Sequence, residues 1–287
     1  MDGPTFLRAG DVRIAARRLR EGAEGEPVYV AIHGFLDHGL GFRPLAERLS
    51  AGTLWALDLP GHGASSGLGG RPYLFVDFVA DVVRAVGALG AGPFVLVGHS
   101  LGAGIAAFAA ALVPEAVSRL VLLDGLGPLT EEPAALPDRL ARALAEERRL
   151  RRTPPRIYAD EAQARRTFAA VRSELSDEAV DLLLPASLDR INGGVTWAPD
   201  PLVRAPSRLR LTEDHVGAFL GRIACPVLVV RPAEGILARH PDAAARRRAH
   251  LEDVRDVDVP GGHHAHIEHA DAVAAAVEAF VLRGSSS

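Results

Sequence analysis

The residues with the clearest chemical promise stand in the run Gly98-His99-Ser100-Leu101-Gly102, which follows the apolar residues 94–97 and precedes an alanine-rich stretch. A serine between two glycines at this spacing, set between a strand and a helix, reads as a nucleophile elbow. The glycines permit a sharp turn and close strand–helix approach, so that Ser100 Oγ projects above a sheet while the Leu101 amide points to the same place. Such a serine needs a base. The stretch Pro260-Gly261-Gly262-His263-His264-Ala265-His266 sets several imidazoles directly after an apolar run. A neutral imidazole there can take the serine proton and later return it to a leaving group. His264 and His266 are near neighbours, as metal ligands often are, but no HExxH pattern or supporting carboxylate spacing accompanies them. Neither a metal nor an organic cofactor is expected.

A third group lies near the start of the chain. His33-Gly34-Phe35 follows the apolar run Val28–Ile32, and a tight turn there can direct the Phe35 amide toward Ser100. The Phe35 and Leu101 amides would then meet the charge developing on a carbonyl oxygen, where losing one donor typically costs about 3 kcal/mol. His33 is read as an orienter of this loop.

Elements must hold these groups together. Short apolar runs at Val28–Ile32, Thr53–Leu57, 94–97, 120–123, 227–230 and Val254–Val259 read as buried strands. Helix-sized amphipathic segments at Phe75–Leu89, Leu101–Leu112 and 270–281 alternate with them. This order predicts an α/β fold with a mostly parallel sheet flanked by helices, with the more polar residues 12–19 as an antiparallel edge. The alternation stops after Leu123. Helical stretches are expected around 135–149, 159–174 and 177–184, the last capped by Ser176. A looser passage containing Asn192-Gly193-Gly194 and Trp197 follows, and sheet-like sequence resumes only at Pro226. The intervening segment reads as a helical cap over the C-terminal ends of the strands, where open α/β sheets place their chemistry.

Composition narrows the function classes. With 48% hydrophobic and 24% charged residues the chain of 287 is globular in character. Thirty-six acidic against 32 basic residues give a net charge of −4, which gives no support for nucleic-acid binding. The single cysteine, Cys225, forbids an intrachain disulfide and reads as a buried structural thiol. Residues 1–8 lack a long apolar signal segment and no apolar run reaches a membrane-spanning length, so a cytoplasmic protein is expected. Residues 284–287 read as a frayed tail. Homo-oligomerisation is left open.

Taken in order, His33-Gly34-Phe35, Asp58-Leu59-Pro60-Gly61-His62-Gly63-Ala64-Ser65, Gly98-His99-Ser100-Leu101-Gly102 and Gly262-His263 resemble the α/β-hydrolase superfamily over nearly the whole chain. Two stretches are similar to its serine hydrolase-like group of capped esterase-type enzymes. They are His33-Gly34-Phe35-Leu36-Asp37, and Leu211-Thr212-Glu213-Asp214-His215-Val216 running through Phe219-Leu220 to Cys225-Pro226. The resemblance implies a hydrolase core of residues 1–124 and 221–287 around a cap of residues 125–220. It also implies Ser100 as nucleophile, His263 as base, the Phe35 and Leu101 amides as oxyanion hole, and His266 as a structural position.

The triad acid departs from the family pattern. Many relatives carry an Asp just beyond the strand matching 227–230, but that position is Gly235 here, with Glu234 one place early. Asp124, directly after residues 120–123, matches an alternative acid position and is favoured over Glu234. Asp37, His99, Phe168, Trp197 and Phe219 are the candidates for substrate contact, while Asp58 is read as a loop anchor. The resulting expectation is a serine hydrolase cleaving a small or medium carboxylic ester through a Ser-His-acid triad and an acyl-enzyme. Carbon–carbon, thioester or lactone hydrolysis, and a non-catalytic small-molecule binder on the same scaffold, stand as alternatives.

Overall fold

The computed structural model describes residues 3–90 and 92–282, so the expected frayed tail lies outside the described residues. Among the described residues ten strands form in chain order: β1 (Thr5–Ala9), β2 (Val12–Arg20), β3 (Val28–Ile32), β4 (Thr53–Leu57), β5 (Phe94–His99), β6 (Val117–Leu123), β7 (Leu188–Ile191), β8 (Gly194–Trp197), β9 (Val227–Pro232) and β10 (Val254–Val259). Eight of them make one sheet in the order β1-β2-β4-β3-β5-β6-β9-β10. β1 and β2 run antiparallel at one edge, and from β4 to β10 every neighbour is parallel.

The inner parallel strands carry continuous apolar runs because both sheet faces are covered there, whereas the edge strand β10 interposes Arg255, Asp256 and Asp258. Alternate residues serve opposite faces. Val30, Ile32, Leu96, Leu120 and Leu122 join a core built with the helices Phe75–Leu89 and Leu101–Leu112. Tyr29, Ala31, Val95, Val97, Val121 and Leu123 face Phe42 and Leu45, together with Val277 and Phe280 of the helix Ala270–Leu282. The register pairs Ile32 with Gly98, His99 with Leu123, Leu123 with Val230, and Val259 with Pro232. Residues that follow β3, β5, β6 and β10 therefore emerge along one edge of the sheet.

A helical cap region is inserted between β6 and β9. It contains the helices Leu136–Arg152, Glu161–Val171 and Asp177–Leu183. Ser176 caps the last of these, its Oγ accepting from the Ala179 amide at 3.2 Å. The passage expected to be loose is instead a β7–β8 hairpin, which Asn192-Gly193 closes as a two-residue turn. The helix Glu213–Leu220 packs on the core, with Phe219 stacked on Phe108 at a ring separation of 3.9 Å. Several contacts hold the cap to this edge of the sheet. His38 Nε2 donates to the Leu183 carbonyl at 2.8 Å, Arg172 donates to the Leu36 carbonyl, and the Ser176 amide donates to Glu268 at 2.8 Å. Among the described residues no helix is long and apolar enough to cross a membrane.

Candidate active site

Ser100 stands where β5 turns sharply into the helix Leu101–Leu112, with φ 53° and ψ −115°. A non-glycine residue at positive φ costs on the order of 1–3 kcal/mol and persists where its surroundings over-determine it. Here the Ser100 amide donates to the Leu123 carbonyl at 3.0 Å, and the Ser100 carbonyl accepts from Ala103 at 3.0 Å. The flanking glycines are sterically required. A Cβ on Gly102 would lie 2.1 Å from the Ile32 carbonyl oxygen, and one on Gly98 would lie 2.3 Å from the Gly102 oxygen.

The loop after β3 lies beside this turn, since a Cβ on Gly34 would sit 3.3 Å from Ser100 Cβ. Two buried histidines shape that loop. His33 Nδ1 donates to the Gly34 carbonyl at 2.7 Å, and its Nε2 accepts from the Leu59 amide at 2.9 Å. His62 Nδ1 donates to Pro60 at 3.0 Å, and its Nε2 accepts from the Leu36 amide at 3.3 Å. Both rings therefore work as neutral imidazoles. Burial lowers both pKa values, that of His62 to about 3. Leu36 takes φ 56° within this framework, and Phe35 is half exposed beside it. Asp58 anchors the neighbouring segment by accepting from Gly39 at 2.7 Å and Ala64 at 2.9 Å.

Asp124 leaves the end of β6 at φ 47°, its amide bonded to the Val230 carbonyl at 3.0 Å. Its carboxylate accepts from the Ile236 and Leu237 amides at 2.8 and 3.0 Å and pairs with His263 Nδ1 at 2.6 Å. Burial alone raises its pKa. The His263 hydrogen bond and the two amides outweigh that, leaving a carboxyl below its ordinary range. Glu234 is exposed, and its backbone rather than its carboxylate is tied in, the amide donating to Gly261 at 3.0 Å. Gly235, the position at which the family resemblance led to the expectation of an acid, leaves room for Asp124 instead. A Cβ there would fall 2.5 Å from Asp124 Oδ1 and 2.7 Å from its Cγ and Oδ2. The space is already taken by the Asp124 carboxylate.

His99 is buried, and its Nε2 donates to the His263 carbonyl at 2.8 Å, fixing the backbone of that histidine from below. Burial, followed by the neighbouring imidazoles, pushes the His99 pKa well down. Asp37 is buried, with Oδ1 accepting from the His38 amide at 2.8 Å. Phe168 and Trp197 join one cap cluster that also takes in Ile267, four residues beyond His263. Phe219 lies apart from it, on the core helix. Cys225 is a free, half-buried thiol pushed up to about 11 by burial, which makes it a poor nucleophile. The loop-supporting role of His62 was not foreseen; its signal was the setting Pro60-Gly61-His62-Gly63, where a histidine falls between two glycines. Arg172 gave no such signal, because its contact with Leu36 joins segments far apart in the chain.

A parallel sheet with a strained serine after β5, a carboxylate–imidazole pair at the ends of β6 and β10, and an inserted cap defines a capped hydrolase architecture. Residues 27–270 match the family model of the alpha/beta hydrolase fold. The chain belongs to that family of hydrolytic enzymes and is closely related to its serine hydrolase-like group. It is 28% identical over 273 residues to a serine hydrolase-like protein of Danio rerio, covering 90% of this chain and 82% of that one. Among solved structures, it is similar to a hypothetical protein of Pseudomonas aeruginosa PAO1, with a TM-score of 0.89, 34% identity and coverage of 98% of this chain and 100% of that one. It is also similar to a thioesterase domain from the curacin biosynthetic pathway, with a TM-score of 0.81, 29% identity and coverage of 95% and 97%.

Proposed function

We propose that the protein is a serine-dependent hydrolase that cleaves a small or medium carboxylic ester through an acyl-enzyme. Ser100 is the nucleophile, His263 the general base and Asp124 the acid that orients it. The observation that carries this reading is the 2.6 Å contact between His263 Nδ1 and Asp124, which leaves Nε2 of His263 as the proton acceptor. His263 takes the Ser100 proton as Oγ attacks the carbonyl, and the amides of Phe35 and Leu101 receive the oxyanion. The imidazolium, stabilised by Asp124, then protonates the departing alkoxide. Water attacks the acyl-enzyme with His263 again as base, releasing the acid and restoring Ser100. Residues 125–220 form the cap, and its Phe168–Trp197 cluster borders the acyl end of the pocket.

Thioester cleavage is the second reading, favoured by the 29% identity to a thioesterase domain. It passes through the same acyl-enzyme with a better leaving group. The experiment is rapid-mixing turnover of p-nitrophenyl acetate, butyrate and octanoate beside the matching acyl thioesters. A burst of one chromophore per protein, lost in Ser100→Ala, is expected. Steady turnover that survives Ser100→Ala in folded protein would overturn the reading.

A further inference from the structure

Beneath the proposed triad lies a group of side chains that the hydrolytic cycle does not use. Asp37, His99 and His266 are all buried, at 5%, 1% and 2% exposure, and one donor atom from each lies within 4.8 Å of the others. Asp37 Oδ2, His99 Nδ1 and both ring nitrogens of His266 have no hydrogen-bond partner. Two small residues border the space: a Cβ on Gly34 would lie 2.9 Å from His99 Nδ1, and one on Gly41 would lie 3.3 Å from Asp37 Oδ2.

We propose that Asp37, His99 and His266 form a binding site for a divalent transition ion of the zinc type. His99 is already set for ligation. Its Nε2–H is committed to the His263 carbonyl, so Nδ1 carries a lone pair, the arrangement in which a metal-bound imidazole is usually held by its outer partner. Asp37 matches this, with Oδ1 held by the His38 amide and Oδ2 free. The ring of His266 packs against those of His99 and Phe42 at centroid separations of 4.2 and 5.2 Å, which fixes its plane. Two imidazoles and one carboxylate are a zinc donor set with room for a fourth, external ligand.

Charge separates an ion from a trapped water. A water would satisfy the orphaned atoms, but it would leave the buried Asp37 carboxylate facing the charge of Arg172 only through space, with no cation in direct contact. Arg172 is the nearby cation, and it donates to the Leu36 carbonyl instead of to Asp37. His38 turns its Nε2 to the Leu183 carbonyl, and His264 lies 3.2 Å from Glu174. Tetrahedral zinc at about 2.1 Å from each ligand needs donor separations of roughly 3.4 Å, so separations that reach at most 4.8 Å shorten by no more than about 1.4 Å.

The test is calorimetric titration of chelator-treated, full-length protein with zinc chloride, with cobalt chloride as a spectroscopic probe. Expected are one zinc per chain, a raised Tm and the visible absorption of tetrahedral cobalt. His266→Gln and Asp37→Asn should each weaken zinc binding at least about tenfold. Anomalous scattering at the zinc edge in wild-type crystals locates the ion even where a variant fails to fold. Absence of stoichiometric binding, an ion found elsewhere, or unchanged affinity in both folded variants would overturn the proposal. None of these readouts depends on hydrolysis, so the site can fail while the esterase reading stands, and the reverse.

Discussion

Gly235→Ala adds one methyl group at a backbone of φ −76°, which alanine adopts without strain, so any effect is steric. The new carbon would lie 2.5–2.7 Å from three atoms of the Asp124 carboxylate, against about 3.4 Å for ordinary contact. The carboxylate must retreat by roughly 0.7–0.9 Å, which opens its 2.6 Å contact with His263 beyond a useful hydrogen bond. The Ile236 and Leu237 amides lose their acceptor in the same movement. Buried donors left unpaired cost about 1–3 kcal/mol each, so for the two amides a loss of about 2–6 kcal/mol in stability is expected. Loss of the orienting carboxylate lowers kcat by about 10²–10⁴-fold. The assay is kcat and a urea midpoint for Gly235→Ala, Asp124→Gly and the double variant. Because both single changes act on one carboxylate, Gly235→Ala should add almost nothing in the Asp124→Gly background. A Gly235→Ala enzyme within about twofold of wild type, or full additivity in the double variant, would refute the reasoning.

Glu234→Gln should keep turnover within about twofold of wild type in the same ester assay, because its exposed carboxylate has no part in the His263 contact. Stability should fall as the pH drops below about 6.5, since the folded protein keeps His62 and His266 neutral while the unfolded chain takes up protons. With both pKa values held at about 3, each group removes about 2 kcal/mol by pH 5, which urea midpoints at pH 7.5 and 5 would measure. His33 and His99 act in the same direction. His33→Phe leaves the buried Leu59 amide without its acceptor and should cost about 1–3 kcal/mol, read from the same unfolding curves.

The inner parallel strands were legible because they are buried on both faces and so read as apolar runs rich in Val and Leu, while the edge strand β10 kept only its Val positions as a signal. β1 was not, since only Leu7 and Ala9 of its residues are buried and its apolar pattern is thin. In the β7–β8 hairpin β7 is largely exposed and only Val195 is fully buried in β8, so no clear alternation marks it and Asn192-Gly193 was its one signal. Ser100, His99 and the loop at His33 are carried by short motifs whose backbone geometry is local. The partner of His263 is not local. Asp124 and His263 are brought together only by the parallel pairing of β6, β9 and β10. Its trace in the sequence is the coincidence of an aspartate after β6 with a glycine at 235, which becomes meaningful once the two are known to share one space. The Asp37–His99–His266 group has no sequence signature at all, because its members come from the loop after β3, the end of β5 and the segment after β10.

The central claim is that Ser100 is activated for covalent attack. Its most direct test is mass spectrometry of the folded protein after treatment with a fluorophosphonate. One phosphonyl adduct per chain is predicted, mapped to the peptide bearing Ser100, absent from Ser100→Ala and formed much more slowly in Asp124→Asn. Folded wild-type protein that takes up no adduct, or Ser100→Ala that is labelled at the wild-type rate, would contradict it.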